Sequence, residues 1–258
     1  MKPKARTSWG DVAEWYDALL EETAGTYQKE VVLPNLLRLM ELTPRTTVAD
    51  IACGQGFFSR AFAQAGARVV ASDIAPELIA AAKNNTPPSL QKKIRYEVAA
   101  ADALTGIPSE STDVATLILA IQNIENVNGV LAEAERILKP EGRLFMVMNH
   151  PAFRVPKESA WGWDDARKVQ YRRIDRYISE SRVKIQMHPG DRPEEHTISF
   201  HRPLQFYAKT LAKNGFLIAR MEEWTSHKKS EPGPRAEAED RARKEFPLFL
   251  CIEALRHA

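Results

Sequence analysis

The stretch "VADIACGQGFFSR", Val48 to Arg60, decides the fold. Its first residues are apolar and β-branched, as a buried strand requires. Gly54 and Gly56 follow where that strand ends. The residues after them read as the start of a helix. Glycines there let the backbone approach a ligand and adopt φ values that other residues avoid. The helix start adds unsatisfied N–H groups and the positive end of a dipole. An acid, Asp50, lies inside the strand. A strand, glycine turn and helix with this composition predict a ligand site at a sheet edge.

Working outward, the elements alternate. "ARVVASDI" predicts a second strand, and "APELIAAAKNN" a helix with Pro76 in its first turn. "IRYEVAA" is a third strand. "DVATLILA" is a fourth, apolar throughout, as a strand buried on both faces is. "NGVLAEAERILKPEG" predicts a helix stopped by Pro140 and Gly142, and "RLFMVMN" a fifth strand. Such alternation implies βαβ units around a parallel sheet. From His150 to about Gln205 the alternation breaks. "WGWDDARKVQYRRIDRYISE" fits a helix, with Val169, Ile174, Tyr177 and Ile178 as apolar positions. The next pieces read as strand, turn and strand. This segment predicts an insertion over the carboxyl edge of the sheet. "LQFYAKTLAKNGF" is then a helix capped by Asn214-Gly215. "LIARMEEW" and "EFPLFLCIEALR" are the last two strands, separated by a charged helix.

In open α/β sheets, ligands bind beyond the carboxyl ends of the strands, where strand order reverses. Asp73 ends the second strand, where an acid can accept both hydroxyls of a ribose. Asp102 follows the third strand at the same edge. Backbone amides, a ribose acceptor and a further acid suit a nucleoside with an anionic or zwitterionic tail. The dinucleotide fingerprint G-x-G-x-x-G requires a third glycine, but Ser59 stands there, and Phe57 and Phe58 would crowd a pyrophosphate.

At this point the chain resembles the class I S-adenosylmethionine-dependent methyltransferases. Their first motif, D-x-G-x-G-x-G, is matched by Asp50, Ala52, Gly54 and Gly56, with a mild replacement of the first glycine by alanine. Asp73 matches the acid that holds the ribose, and Asp102 the acid near the adenine amine. The stretch from Ser111 through "LKPEG" to Val147 resembles the family's fourth strand, following loop and fifth strand. The resemblance covers about Thr7 to Met148. It implies a Rossmann-like doubly wound sheet of seven strands, mostly parallel with an antiparallel last strand, plus an inserted lid after strand five. It implies S-adenosyl-L-methionine as cofactor, held by Tyr16, Asp50, Ala52, Cys53, Gly54, Gly56, Asp73, Ile74, Asp102, Ala103, Ala120 and Gln122. Tyr16, in "WYD", corresponds to a tyrosine that folds over the cofactor. Cys53 otherwise reads as a small buried filler.

Methyl transfer from an activated cofactor needs chiefly in-line positioning. A base is needed only if the acceptor arrives protonated. His150 and His201 are the candidate bases. Asn123, Trp161, Trp163 and His201 are the candidate acceptor contacts. His188, His196 and His201 lie near Asp191, Glu194 and Glu195. No pair of these histidines has helical i, i+4 spacing, and alternation places His196 and His201 on opposite strand faces, so no metal is expected. The basic run from Arg167 to Arg176 reads as a solvated helix face.

The 258 residues suit one methyltransferase domain. Its parts would be an N-terminal helical cap (1–45), a cofactor-binding core (46–149), a substrate lid (150–205) and the remainder of the sheet (206–258). The 36 basic and 34 acidic residues leave a net charge of +2, which does not favour a dominant nucleic-acid surface. No apolar run approaches about 18 residues, so no membrane span is expected. The start lacks the apolar core of a secretory signal, and two cysteines make no disulfide framework. A cytoplasmic enzyme acting on a small-molecule acceptor is the expectation. Methylation of RNA or protein, and non-catalytic binding of the cofactor, stay open as alternatives, as does the oligomeric state.

Overall fold

The computed structural model describes residues 25–188 and 192–257, with the side chains of 187, 188 and 192–195 outside the description. Trp9, Trp15, Tyr16 and Asp191 therefore lie outside the described residues. A π-helical turn, Gln28–Val32, leads into α1 (Leu33–Met40), which carries Pro34 in its first turn. The core then runs β1 (Thr47–Ile51), α2 (Phe57–Gln64), β2 (Arg68–Asp73), α3 (Pro76–Asn84), β3 (Ile94–Val98) and β4 (Thr112–Ile118). A 3₁₀ turn at Ile121–Asn123 precedes α4 (Val127–Ile137) and β5 (Leu138–Asn149). Two hairpins follow: β6 (Ser159–Asp164) with β7 (Val169–Ile174), and β8 (Ser181–His188) with β9 (Arg192–His201). The chain closes with α5 (Leu204–Lys213), β10 (Phe216–Trp224), α6 (Ala236–Glu245) and β11 (Phe249–Arg256).

Seven strands form one sheet in the order β10-β11-β5-β4-β1-β2-β3. Strands β1 to β5 pair in parallel, and β11 runs antiparallel to both β5 and β10. The doubly wound, mostly parallel sheet of seven strands that the resemblance implies, with its antiparallel last strand, is present. Helices cover both faces. Leu131, Ala134 and Leu211 pack on one side, and Leu36, Met40 and Phe62 on the other, all fully buried. This double cover is why β4 is apolar along nearly its whole length. Strand order reverses between β1 and β4, so their carboxyl ends open into a crevice.

Two expectations change. The helix α4 ends at Ile137, and "LKPEG" already belongs to β5, with a register irregularity opposite Thr112–Val114. The predicted helix over Trp161–Glu180 is instead the hairpin β6–β7 followed by a loop. Exposure alternates along β7, the period of a strand half-covered on one face. Gly162 faces Tyr171 across the hairpin, and a Cβ there would collide with the tyrosine ring. The inserted segment after β5 is therefore two hairpins, with no helix among its described residues.

Candidate active site

The crevice is a cavity of about 520 Å³. Its floor is the loop between β1 and α2, in which Ala52, Gly54 and Gly56 all have left-handed φ values of 56°, 57° and 80°. Three such residues in five curl the backbone tightly. Gly56 also abuts β3 and α3: an added Cβ would lie 2.7 Å from the Tyr96 hydroxyl and 3.1 Å from Ala82 Cβ. Ala52 occupies the place of the family's first glycine, so that replacement carries a steric cost which glycine would not.

Asp73 and the loop are one unit. The amide of Gly54 donates to Asp73 Oδ2 at 2.9 Å, and that of Ala75 to Oδ1 at 2.9 Å. These bonds orient the group, which lines the crevice. Burial raises the Asp73 pKa, and the Ala75 and Gly54 amides oppose that rise. Asp50 lies beneath the loop, 2% exposed. It accepts from Ser59 Oγ at 2.5 Å and Thr116 Oγ1 at 2.9 Å. Burial nevertheless pushes its pKa to about 6. Burial and the neighbouring carboxylates push the Cys53 thiol up as well, which suits a small filler and not a nucleophile.

Asp102 is oriented from the far side of the crevice. Asn126 caps α4 by accepting from Gly129 N at 3.0 Å, and its Nδ2 donates to Asp102 Oδ2 at 2.8 Å. Ile74, although apolar, is 44% exposed within the cavity wall, a surface suited to the face of a flat ring. Leu119 follows β4 directly, in a left-handed conformation, φ 54°. Such strain in a branched side chain costs about 1–3 kcal/mol and collects at ligand sites. Its amide donates to Val147 and its carbonyl accepts from Gln122 Nε2.

Of the sequence-predicted residues, Asp50, Ala52, Cys53, Gly54, Asp73, Ile74, Asp102, Ala120 and Asn123 line this cavity. Gly56 shapes the loop from behind. Ala103 and Gln122 are adjacent in the chain but are not in the wall. Neither candidate base is in it. His150 is 1% exposed, with Nδ1 accepting from Ala152 N and Nε2 placed 2.7 Å from Glu223 Oε1. An accepting Nδ1 puts the proton on Nε2, which donates to Glu223. Burial lowers the His150 pKa, and Glu223 partly offsets this. His201, 3% exposed, donates from Nε2 to the Tyr177 carbonyl at 2.6 Å. Both histidines are thus engaged in structural hydrogen bonds. Trp161 and Trp163 lie elsewhere too, against Phe246 and Arg235 respectively.

The inserted segment reaches the crevice through Thr197 and Ile198 of β9. Arg202 fixes that approach by donating to the carbonyls of Ile121 and Glu125. Glu125, Asn126, Thr197 and Ile198 were missed by sequence reasoning. The alternation in "HTISFH" was visible, but nothing in it said which strand would meet the 3₁₀ turn. Among the described residues no group of histidine, cysteine and carboxylate side chains could hold a metal, and no helix is long and apolar enough to cross a membrane.

The donor set fits S-adenosylmethionine. Asp50, Asp73, Asp102 and Glu125 are in the wall, with no lysine, arginine or histidine among the described lining residues. A sulfonium and an ammonium are welcome in that field; a pyrophosphate is not. Gln55 also lines the cavity, and its buried Nε2 has no hydrogen-bond partner among the described residues. That orphan donor could serve the cofactor's carboxylate.

Residues 49–146, from β1 to β5, match the family described as a methyltransferase domain. An S-adenosylmethionine dependent methyltransferase from Mesorhizobium loti is 26% identical and superimposes with a TM-score of 0.70, covering 88% of this chain and 99% of that one. A demethylmenaquinone methyltransferase of Tropheryma whipplei is 30% identical over 115 residues, 44% of this chain and 46% of that protein. A ubiquinone biosynthesis O-methyltransferase of Xanthomonas oryzae pv. oryzae is 30% identical over 125 residues, 46% of this chain and 52% of that protein. The matched part spans about half the length of these two curated relatives. With the seven-stranded order and the acid-lined glycine loop, these likenesses show that residues 49–146 form a methyltransferase domain, in a chain that resembles S-adenosylmethionine-dependent methyltransferases along most of its length.

Proposed function

We propose that this protein transfers the methyl group of S-adenosylmethionine to a small acceptor with a flat, uncharged body. The observation that carries the reading is the cavity wall: four carboxylates, apolar side chains and no described basic group. Such a wall repels polyanions, so it argues against RNA as the acceptor. The basic run from Arg167 to Arg176 gives RNA no surface at the crevice. It belongs to the first hairpin, and Arg167, Lys168, Arg173 and Arg176 are each paired with an acid.

When bound, the cofactor supplies an activated methyl group with a neutral thioether as its leaving group. The protein's work is to hold and to exclude water. Asp73 would accept the ribose hydroxyls, with its orientation fixed by Gly54 and Ala75. Asp102, held by Asn126, would accept from the adenine amine. Leu119, Ala120, Asn123 and Glu125 then face the acceptor from the end of β4, and Thr197 and Ile198 close on it from β9. Positioning the acceptor in line is the main barrier-lowering device available. If the acceptor arrives as a hydroxyl, Glu125 is the carboxylate placed to take its proton. The names of the curated relatives, which act on quinone-type molecules, support an aromatic ring as the acceptor body.

The test is transfer of a labelled methyl from S-adenosylmethionine to pooled catechols and quinols, run beside tRNA and protein pools. Label in the small-molecule pool supports the reading. Label confined to tRNA or protein overturns it.

A further inference from the structure

A second cavity, of about 240 Å³, lies beside the end of β5 and the start of β11. It shares no lining residue with the crevice. Its chemistry is the reverse. Arg154, Arg172 and Arg243 are all in its wall, and no acid is among the described lining residues. Phe153, Trp161 and Phe246 supply aromatic surface.

The arginines are not equivalent. Arg172 is anchored: its Nε donates to the Phe153 carbonyl at 2.8 Å, its NH2 donates to Ser159 Oγ at 2.8 Å, and its guanidinium lies 5.2 Å from the Trp161 ring centroid. Arg243 donates from Nε to Ser230 Oγ at 3.2 Å. The Arg154 backbone amide donates to the His150 carbonyl, but its guanidinium has neither a hydrogen bond nor an ion pair among the described residues. Partial burial and then the Arg154 charge lower the Arg172 pKa, so the two cations disfavour each other. The rings meet edge-on, Phe153 with Phe246 at 5.6 Å and Trp161 with Phe246 at 5.5 Å. Elsewhere on this hairpin each basic side chain has an acid partner; at this cavity none is provided among the described residues.

We infer that this cavity is a second small-molecule site, for an oxyanion (carboxylate or phosphate) carried on an aromatic ring. Arg154 and Arg172 supply the fork of donors that such oxyanions take, and Arg243 adds a third charge. The three rings form the wall on which a flat body packs. The site was assembled by the fold from distant segments: the turn after β5, the first hairpin, and the end of α6. The inference stands apart from the methyl-transfer reading, because the site does not use the crevice.

The experiment titrates the full chain with 4-fluorobenzoate, followed by fluorine NMR, and with phenyl phosphate, followed by calorimetry. Inorganic phosphate and 4-fluorobenzyl alcohol are the controls. Saturable binding of one aromatic oxyanion is expected, and the tighter of the two identifies the headgroup. Arg154→Gln removes a guanidinium with no hydrogen-bond or ion-pair partner among the described residues, so the variant should fold. It should weaken binding by about tenfold or more, the worth of a charged hydrogen bond. S-adenosylhomocysteine should bind this variant and the parent alike, which reports on folding and on the crevice separately. Failure of both aromatic oxyanions to saturate at millimolar concentration overturns the inference. So does equal binding of the neutral alcohol, equal binding of inorganic phosphate, or an affinity that Arg154→Gln leaves unchanged.

Discussion

The glycine-loop half of the crevice and the hairpins after β5 are built on opposite principles. In the first, neighbours in sequence are neighbours in space: Asp50, Ala52, Gly54 and Gly56 sit in one turn, and Asp73 reaches back to bond Gly54. In the second, two successive hairpins diverge. The first turns away, onto α6, and places Trp161 and Trp163 against Phe246 and Arg235. The second lies over the 3₁₀ turn after β4 and brings Thr197 and Ile198 to the crevice. Ligand-binding geometry encoded within one βαβ unit is local. Geometry that depends on which way a hairpin folds is decided by long-range packing.

The sharpest way to break the local half is Gly56→Ala. The new Cβ would need to displace the Tyr96 ring or Ala82, in a backbone conformation that already disfavours a side chain. Left-handed strain and overpacking together should cost about 2–4 kcal/mol of folding stability. Denaturant unfolding measures it, and a loss below about 1 kcal/mol would show that the loop is less tightly held than its contacts imply. Next in size is Asp73→Ala, which removes the carboxylate proposed for the ribose and releases Gly54 N. Affinity for S-adenosylhomocysteine should fall by about 1.5–3 kcal/mol, the worth of hydrogen bonds to a charged group. Calorimetric titration reads it, and wild-type affinity would remove Asp73 from the site.

The buried Asp50 gives a pH signature to the same half. Its folded pKa, about 6, lies above its ordinary value of 3.8, so folding favours the neutral form. Its contribution is most favourable at low pH and is lost as pH rises from about 4 through 6. Asp50→Asn cannot titrate there. Relative to that variant, wild-type stability should therefore improve by about 1.5 kcal/mol on going from about pH 7.5 to about pH 5. The comparison between variants cancels the opposing trend from His150, whose pKa is lowered in the fold. A constant difference between the two proteins would mean that Asp50 titrates normally.

The hairpins are separated by a paired comparison. Ile198→Ala should lower methyl-transfer kcat/KM by about tenfold, since looser positioning of an acceptor is costly. Trp163→Ala should leave it within about twofold, because its contact is with Arg235 in a stack of modest worth. The reverse pattern would put the first hairpin over the acceptor.

Much of the glycine-loop half was legible because each of its requirements leaves a residue-level mark. A left-handed turn asks for glycine, a buried central strand for unbroken apolar residues, and the ribose acceptor proposed here for an acid at a strand end. The hairpins leave weaker marks. "RKVQYRRID" has period-two alternation, but Ile174, Tyr177 and Ile178 also have helical spacing, and the structure uses the first pattern. Histidines invite a catalytic reading by residue type alone. Only the fold shows that His150 is committed to Glu223 and His201 to the Tyr177 carbonyl. Glu125 has no such marker, because an acid after a strand is common and its place in the wall follows from the loop's path.

The smallest expected effect tests how far the local half departs from its own rule. Ala52 sits at φ 56°, where the family motif has glycine. An L-residue in that region is disfavoured by about 1–2 kcal/mol. Glycine would relieve that, but it loses about 0.5–1 kcal/mol more to the unfolded chain's entropy. Ala52→Gly should therefore stabilise the protein by about 0.5 kcal/mol, raising Tm by about 1–2 °C at this size. The substitution deletes only a methyl group at the cavity wall, so affinity for S-adenosylhomocysteine should stay close to that of the parent. A Tm that falls would mean that the alanine methyl contributes packing worth more than the strain it imposes. The first glycine of the motif would then be dispensable here because the crevice itself had taken up the extra carbon.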